Sequence, residues 1–192
     1  MSTHAFRPLF AGALLAICLA PAGAAQEPSS PSLPSLDTPH ALRMEDRHLR
    51  EDLARARQDQ GSVGSAAKEL ERLLLPHLDQ REQAVFRPLG LLRALARNEP
   101  SPDTTQAMAL VDQVERDLPR LVQEHRALYD ANKRLIDAAN REHKPQYLDL
   151  SDRLWVHMRM EEEVLYPTVM LVGRYLRLQE DARHRPTARS SR

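Results

Sequence analysis

His157-Met158-Arg159-Met160-Glu161-Glu162-Glu163-Val164-Leu165-Tyr166-Pro167 is the stretch on which the reading of this 192-residue chain turns. It sets a histidine four residues before a carboxylate, a spacing that puts both on one face of a helix. At about 100° per residue, Leu150, Leu154, Glu161, Val164 and Thr168 all fall within roughly 60° of His157. His157 and Glu161 therefore point into an apolar stripe, where a core helix should carry hydrocarbon. A carboxylate there needs a partner, and a metal ion is one of the few that also suits a neighbouring imidazole. Glu162 and Glu163 point away and can be solvated.

Outward from that stretch, the sequence predicts four helices and no strands, because no segment alternates with period two for long. The first covers residues 40–60, with Thr38 as N-cap and a stripe of Leu42, Leu49, Leu53 and Ala56. Gly61-Ser62-Val63-Gly64 should break the chain. The second covers 65–97, locally irregular at Pro76 and Pro88. The third, 101–142, opens with Ser101 as N-cap and Pro102 at its first position, and should kink at Pro119. Its stripe includes Leu121, His125, Leu128, Asn132 and Leu135. The fourth covers 146–180. One apolar stripe per helix and short connections predict an all-α, up-down-up-down four-helix bundle over residues 39–180.

Four histidines fall one per helix: His48, His77, His125 and His157. His125 and His157 sit at the centres of their stripes and His77 shares a face with Leu70, Leu73 and Leu74. His48 lies about 100° off the stripe set by Leu49. His40, His143 and His184 fall at helix ends or in the tail and read as solvated. The two halves echo one another, since Val85-Phe86-Arg87-Pro88 answers Val164-Leu165-Tyr166-Pro167. Two similar hairpins, each giving histidines and a carboxylate to a common centre, would build a metal site in a bundle core.

Composition narrows the partners. Lysine plus arginine and aspartate plus glutamate both count 27, which gives no electrostatic case for nucleic acid or an anionic membrane. Residues 1–25 read as a signal peptide, with Arg7 before an apolar run and cleavage near Ala24-Ala25, so a periplasmic or secreted protein is expected. Membrane contact would come only through that segment if uncleaved. The one cysteine, Cys18, lies within it, which leaves the mature chain without thiolate ligands, a thiol nucleophile or covalent haem. Residues 26–38 read as a Pro/Ser-rich linker and 181–192 as a disordered basic tail.

The sequence resembles the hemerythrin-like (HHE cation-binding) family over residues 38–180. The resemblance rests on His48-Leu49-Arg50-Glu51-Asp52-Leu53, on Glu124-His125-Arg126 and above all on the stretch from His157 to Pro167. It implies a four-helix bundle with a non-haem di-iron centre, held by histidines and two bridging carboxylates, that binds dioxygen or a similar diatomic or handles iron. Carried over by matching positions, the ligands are His48, His77, His125, His157 and Glu161. The second helix departs from the pattern, because Arg81, not a carboxylate, stands four residues after His77. Glu82 is one residue late, yet it lies six residues before Pro88, as Glu161 does before Pro167. A π-bulge between His77 and Glu82 would return Glu82 to the site. Otherwise Arg81 occupies it.

Imidazole and carboxylate without thiolate suit iron, manganese or zinc, and two irons are expected from the resemblance. No reaction is expected, since no acid/base group stands out beside the ligands; Tyr129 and Asn132 read more simply as packing residues. The competing expectation is a metal-free exported bundle acting through protein partners. A b-type haem using Met158 or Met160 is disfavoured by a carboxylate in the core.

Overall fold

Proline sets the irregular turns of this fold, and those turns set which side chains face inward. The computed structural model describes residues 36–100 and 104–184. The stretches read from the sequence as a signal peptide and a linker up to residue 35, as a Ser101-Pro102 cap, and as a tail from residue 185 lie outside the described residues. The helices are α1 (His40–Ala56), α2 (Gly61–Arg81), α3 (Arg87–Leu89), α4 (Leu92–Ala96), α5 (Thr104–Arg141), α6 (Leu148–Met160) and α7 (Tyr166–His184). A π turn, Glu82–Phe86, joins α2 to α3, and a second, Glu161–Leu165, joins α6 to α7. Four helical rods result: α1, α2 with α3 and α4, α5, and α6 with α7. There is no strand among the described residues.

Both π turns end two residues before a proline, Pro88 or Pro167. Proline offers no N–H, and its ring collides with the carbonyl four residues back. Widening the preceding turn relieves that collision, and the Tyr166 amide accordingly donates to the carbonyl of Glu161, five residues away. The extra residue also rotates everything downstream. Val164, placed inward by a straight-helix count, is exposed, and Leu165 is buried in its stead. Pro76 and Pro119 are exposed and interrupt neither α2 nor α5.

The rods pack in a ring. α5 lies against α2, α6 and α7, while α1 lies against α2 and α6. One core cluster joins Leu49, Leu53, Leu70, Leu74, Leu128, Leu135 and Leu154. A second joins Val85, Phe86, Val111, Leu121, Leu165 and Val169 beyond the π turns. The histidine level lies between them. At Gly173, a Cβ would fall 2.5 Å from Val111 Cγ1, so this glycine is what lets α7 approach α5.

Three boundaries differ from expectation. Gly61-Ser62-Val63-Gly64 starts α2 rather than breaking the chain, and the break is residues 57–60. A Cβ on Gly64 would strike the carbonyl of Asp59, so the glycine serves the tight entry into the helix. Pro39, not Thr38, is the N-cap position of α1, and Thr38 is buried with its carbonyl accepting from Arg43 at 2.6 Å. The stretch expected to open a disordered tail begins later, because residues 181–184 complete α7. No described helix is long and apolar enough to cross a membrane.

Candidate metal centre

Glu161 is the hub. It is fully buried, at the first position of the second π turn, and side chains from three rods reach its carboxylate. His77 Nε2 lies 3.1 Å from Oε2 and His125 Nε2 3.0 Å from the same oxygen. Tyr166 donates its hydroxyl to Oε2 at 2.7 Å and lies 3.3 Å from His125 Nε2. On the other oxygen, His157 Nε2 is 3.0 Å from Oε1, and the Arg81 guanidinium pairs with Oε1 directly. His77, His157 and Glu161 stand close enough to share one ion.

Behind each imidazole stands another carboxylate. His125 Nδ1 is 2.7 Å from Glu162, His157 Nδ1 is 2.5 Å from Glu45, and His77 Nδ1 is 3.6 Å from Glu124. Metal-bound histidines are oriented in this way, with the outer nitrogen held by a carboxylate and the inner lone pair left for the ion. His77 Nδ1 is buried without a hydrogen-bond partner.

Arg81 is the cation already in place. It is 1% exposed, its Nη1 reaches Glu161 and His157, its Nη2 pairs with Asp46, and its Nε has no partner. The guanidinium also stacks over the Phe86 ring, 4.4 Å from the centroid. Burial pulls its pKa down to about 9, with Glu45 and Glu82 opposing, so it stays charged at neutral pH.

Burial holds two of the imidazoles, His125 and His157, toward the neutral form. Burial, followed by the charge of Arg81, pushes His157 down to about 4. Burial likewise lowers His125, with His77 and Arg81 adding to the effect and Glu162 resisting it. Burial would raise Glu45, but the contact with His157 and the charge of Arg81 outweigh it and hold the carboxyl low. His77 and then Arg120 keep Glu124 low against its burial. Burial raises Tyr166, which therefore keeps its proton.

The hydrogens around His125 can be counted. A neutral imidazole carries one ring hydrogen, yet both nitrogens of His125 face carboxylate oxygens, at 2.7 Å and 3.0 Å. With Glu161 and Glu162 both ionised, one of those contacts has no hydrogen between two lone pairs. The single Tyr166 proton is already given to Glu161.

Of the residues expected at the site from the sequence, the structure brings together His77, His125, His157 and Glu161. His48 is exposed on α1, outside the cluster, because Leu49 and Leu53 turn the opposite face of the helix inward. Glu82 is exposed as well. The π turn anticipated near it exists, but it starts at Glu82 instead of before it. α2 is therefore regular from His77 to Arg81, and the fourth residue on, Arg81, faces inward. Sequence reasoning missed Asp46 and Glu45. Asp46 had a legible signal, since it sits four residues after Leu42 and three before Leu49, within the apolar stripe of α1. It also missed Tyr166, five residues beyond Glu161 and turned inward by the π turn.

No protein-family model, curated protein or solved structure matches this chain.

Proposed function

We propose that this protein is an exported, hemerythrin-like up-down-up-down bundle that holds a single metal ion at His77, His125, His157 and Glu161. The observation that carries this reading is His125, a neutral ring with a carboxylate oxygen on each nitrogen. An ion between its Nε2 and Glu161 removes the clash of lone pairs, and its ring hydrogen then serves Glu162. The same shift lets His77 turn its hydrogen outward to Glu124.

Two irons do not fit these residues. The second bridging carboxylate would come from Glu82, which is exposed, and Arg81 stands against Glu161 Oε1 instead. A fixed guanidinium there repels a second cation and supplies the charge it would have brought. With no thiolate in the mature chain, iron, manganese and zinc all suit the remaining donors, and iron is the choice the family resemblance favours. When bound, the ion supplies a Lewis-acidic, and for iron a redox-active, centre open to a small ligand such as dioxygen. The chain's own residues orient it: Glu162 and Glu45 fix the rings of His125 and His157, Tyr166 holds Glu161, and leucines seal the centre from water. No reaction is assigned.

Elemental analysis of the purified protein after metal-replete expression tests this. About one ion per chain is expected, falling below about a tenth in His125→Ala or Glu161→Ala. About two ions per chain in the wild type refutes the single-ion reading. The second reading, a metal-free bundle acting through protein partners, has one observation in its favour: Arg81 already neutralises Glu161 and Asp46. Less than about a tenth of an ion in the wild type selects it.

A further inference from the structure

α1 is the one rod that gives the proposed ion no ligand, yet two of its carboxylates reach the centre. Glu45 lies 2.5 Å from His157 Nδ1, and the buried Asp46 pairs with Arg81. Arg81 in turn stands on the ligands themselves. Its Nη1 reaches both His157 Nε2 and Glu161 Oε1. With His157 Nδ1 facing Glu45, Nε2 is the nitrogen left for an ion. The guanidinium and the ion therefore want the same atoms, and two like charges cannot share them.

The guanidinium has a place to go without leaving the core. Its Nη2 donates to Asp46 Oδ1, while Nε, the neighbouring donor on the same edge, is buried with no partner. That edge presents two parallel N–H groups, which match the two oxygens of a carboxylate. Arg134 shows the complete pairing elsewhere in this chain, with Nε and Nη2 at 3.0 Å and 2.9 Å from the two oxygens of Glu69. Arg81 makes half of that pairing with Asp46 and gives Nη1 to Glu161 and His157. A buried donor left unpaired is costly, so completing the pair offsets part of what Arg81 loses when Nη1 is displaced. The Phe86 ring, 4.4 Å from the guanidinium, offers a flat surface along which it can slide in its own plane.

We propose that Asp46 is a positioning residue for the metal centre, receiving Arg81 on its Nε and Nη2 edge when an ion takes His157 Nε2 and Glu161. The exchange rests on the single-ion reading above. Arg81 stays in the core, where its charge still opposes a second cation, but it no longer covers the ligands. Asp46 then balances Arg81, and the ion balances Glu161. α1 thereby senses the occupancy of a site to which it gives no ligand. Without the Asp46 carboxylate the guanidinium has only Glu161 to pair with, since Glu45 is engaged by His157. Every ion must then displace it from there.

Zinc titration of the purified full chain, in competition with a chromophoric chelator, tests the exchange. Asp46→Asn should weaken zinc binding at least about tenfold, as expected for losing a hydrogen bond between charged groups. In an Arg81→Met background the same substitution should cause no loss, because the competitor is gone. A negative charge acting only at a distance, or a loosened bundle, would weaken binding in both backgrounds. The wild type adds a readout that depends on no substitution. On zinc addition the Arg81 Nε–H proton, followed by heteronuclear NMR, should move downfield and exchange more slowly with water. A wild type that binds zinc with this proton unmoved overturns the exchange and leaves the single-ion reading standing. So does an Asp46→Asn variant that binds zinc as tightly as the wild type, or one that loses as much with Arg81 as without it. A wild type that binds no zinc overturns both.

Discussion

Replacing Arg81 with methionine strips the middle of the bundle of its only buried counter-charge among the described residues. The guanidinium pairs with Asp46 and Glu161, whose side chains are 8% and 0% exposed. Methionine keeps an unbranched stem of similar reach, so little packing is lost, but two carboxylates remain in the core without their cation. Removing one partner of a buried ion pair costs about 3–5 kcal/mol, and losing the stack over Phe86 adds about 0.5–2 kcal/mol. Total stabilities run to only about 5–15 kcal/mol, so the metal-free variant should be close to unfolding at neutral pH. The pH dependence fixes the cause. Without Arg81 the buried carboxyls have folded pKa values above their unfolded ones, so the folded variant takes up protons first as the pH falls. Its deficit relative to the wild type is therefore full at pH 7.5 and shrinks toward the unfolded carboxylate value of about 4. Urea unfolding followed by circular dichroism, on chelator-treated protein at pH 7.5 and pH 5, measures both. A loss below about 1 kcal/mol at pH 7.5, or the same loss at both pH values, refutes the reasoning.

Three further outcomes are expected. His157 has a folded pKa of about 4 against an ordinary 6.5, so its stabilising contribution is complete above 6.5 and is lost as the unfolded chain takes up a proton that the folded one refuses. Chelator-treated protein should lose about 3 kcal/mol between pH 7 and pH 4 from this group, and His157→Gln should flatten that part of the pH profile measured by urea unfolding. Gly173→Ala should cost about 1–3 kcal/mol through collision with Val111 against a gain of about 1 kcal/mol in helix propensity, a net loss of up to about 2 kcal/mol; a higher melting temperature contradicts the close approach of α7 to α5. Tyr166→Phe removes the 2.7 Å hydrogen bond to Glu161 and should weaken metal binding about tenfold in competition with a chromophoric chelator, whereas unchanged affinity reduces the phenol to packing.

What was legible in the sequence followed from periodicity. One apolar stripe per helix was enough to read an all-helical chain of four rods and to turn His77, His125, His157 and Glu161 inward. His48 was misplaced by its spacing to His77. Asp46 stands 31 residues before His77, close to the 32 that separate His125 from His157, whereas His48 stands 29 before it. The acidic residue, not the histidine, is thus the counterpart of His125 in the first hairpin, and it meets Arg81 rather than a metal.

Glu82 was misplaced for a subtler reason, and it bears on the whole centre. Two rulers run along the second and fourth rods. One counts four residues on from a histidine and decides which side chain faces inward; the other counts six back from a proline and decides where the helix widens. In the fourth rod His157 and Pro167 are ten residues apart, and both rulers end on Glu161. In the second rod His77 and Pro88 are eleven apart, so the first ruler ends on Arg81 and the second on Glu82. The widening comes too late to turn Glu82 in, because the helix before it is already regular. A one-residue difference in the interval between histidine and proline therefore sets a guanidinium where a second bridging carboxylate would stand. Deleting Glu82 shortens that interval but leaves Arg81 inward. Arg81→Glu keeps the interval and turns a carboxylate in, placing it against Glu161 and Asp46 with no cation between them. If the inward position is set by the histidine ruler, that variant should bind about one more ion per chain than the wild type, and Glu82→Ala should leave metal content unchanged. Loss of metal in Glu82→Ala would mean that the proline ruler governs the site after all.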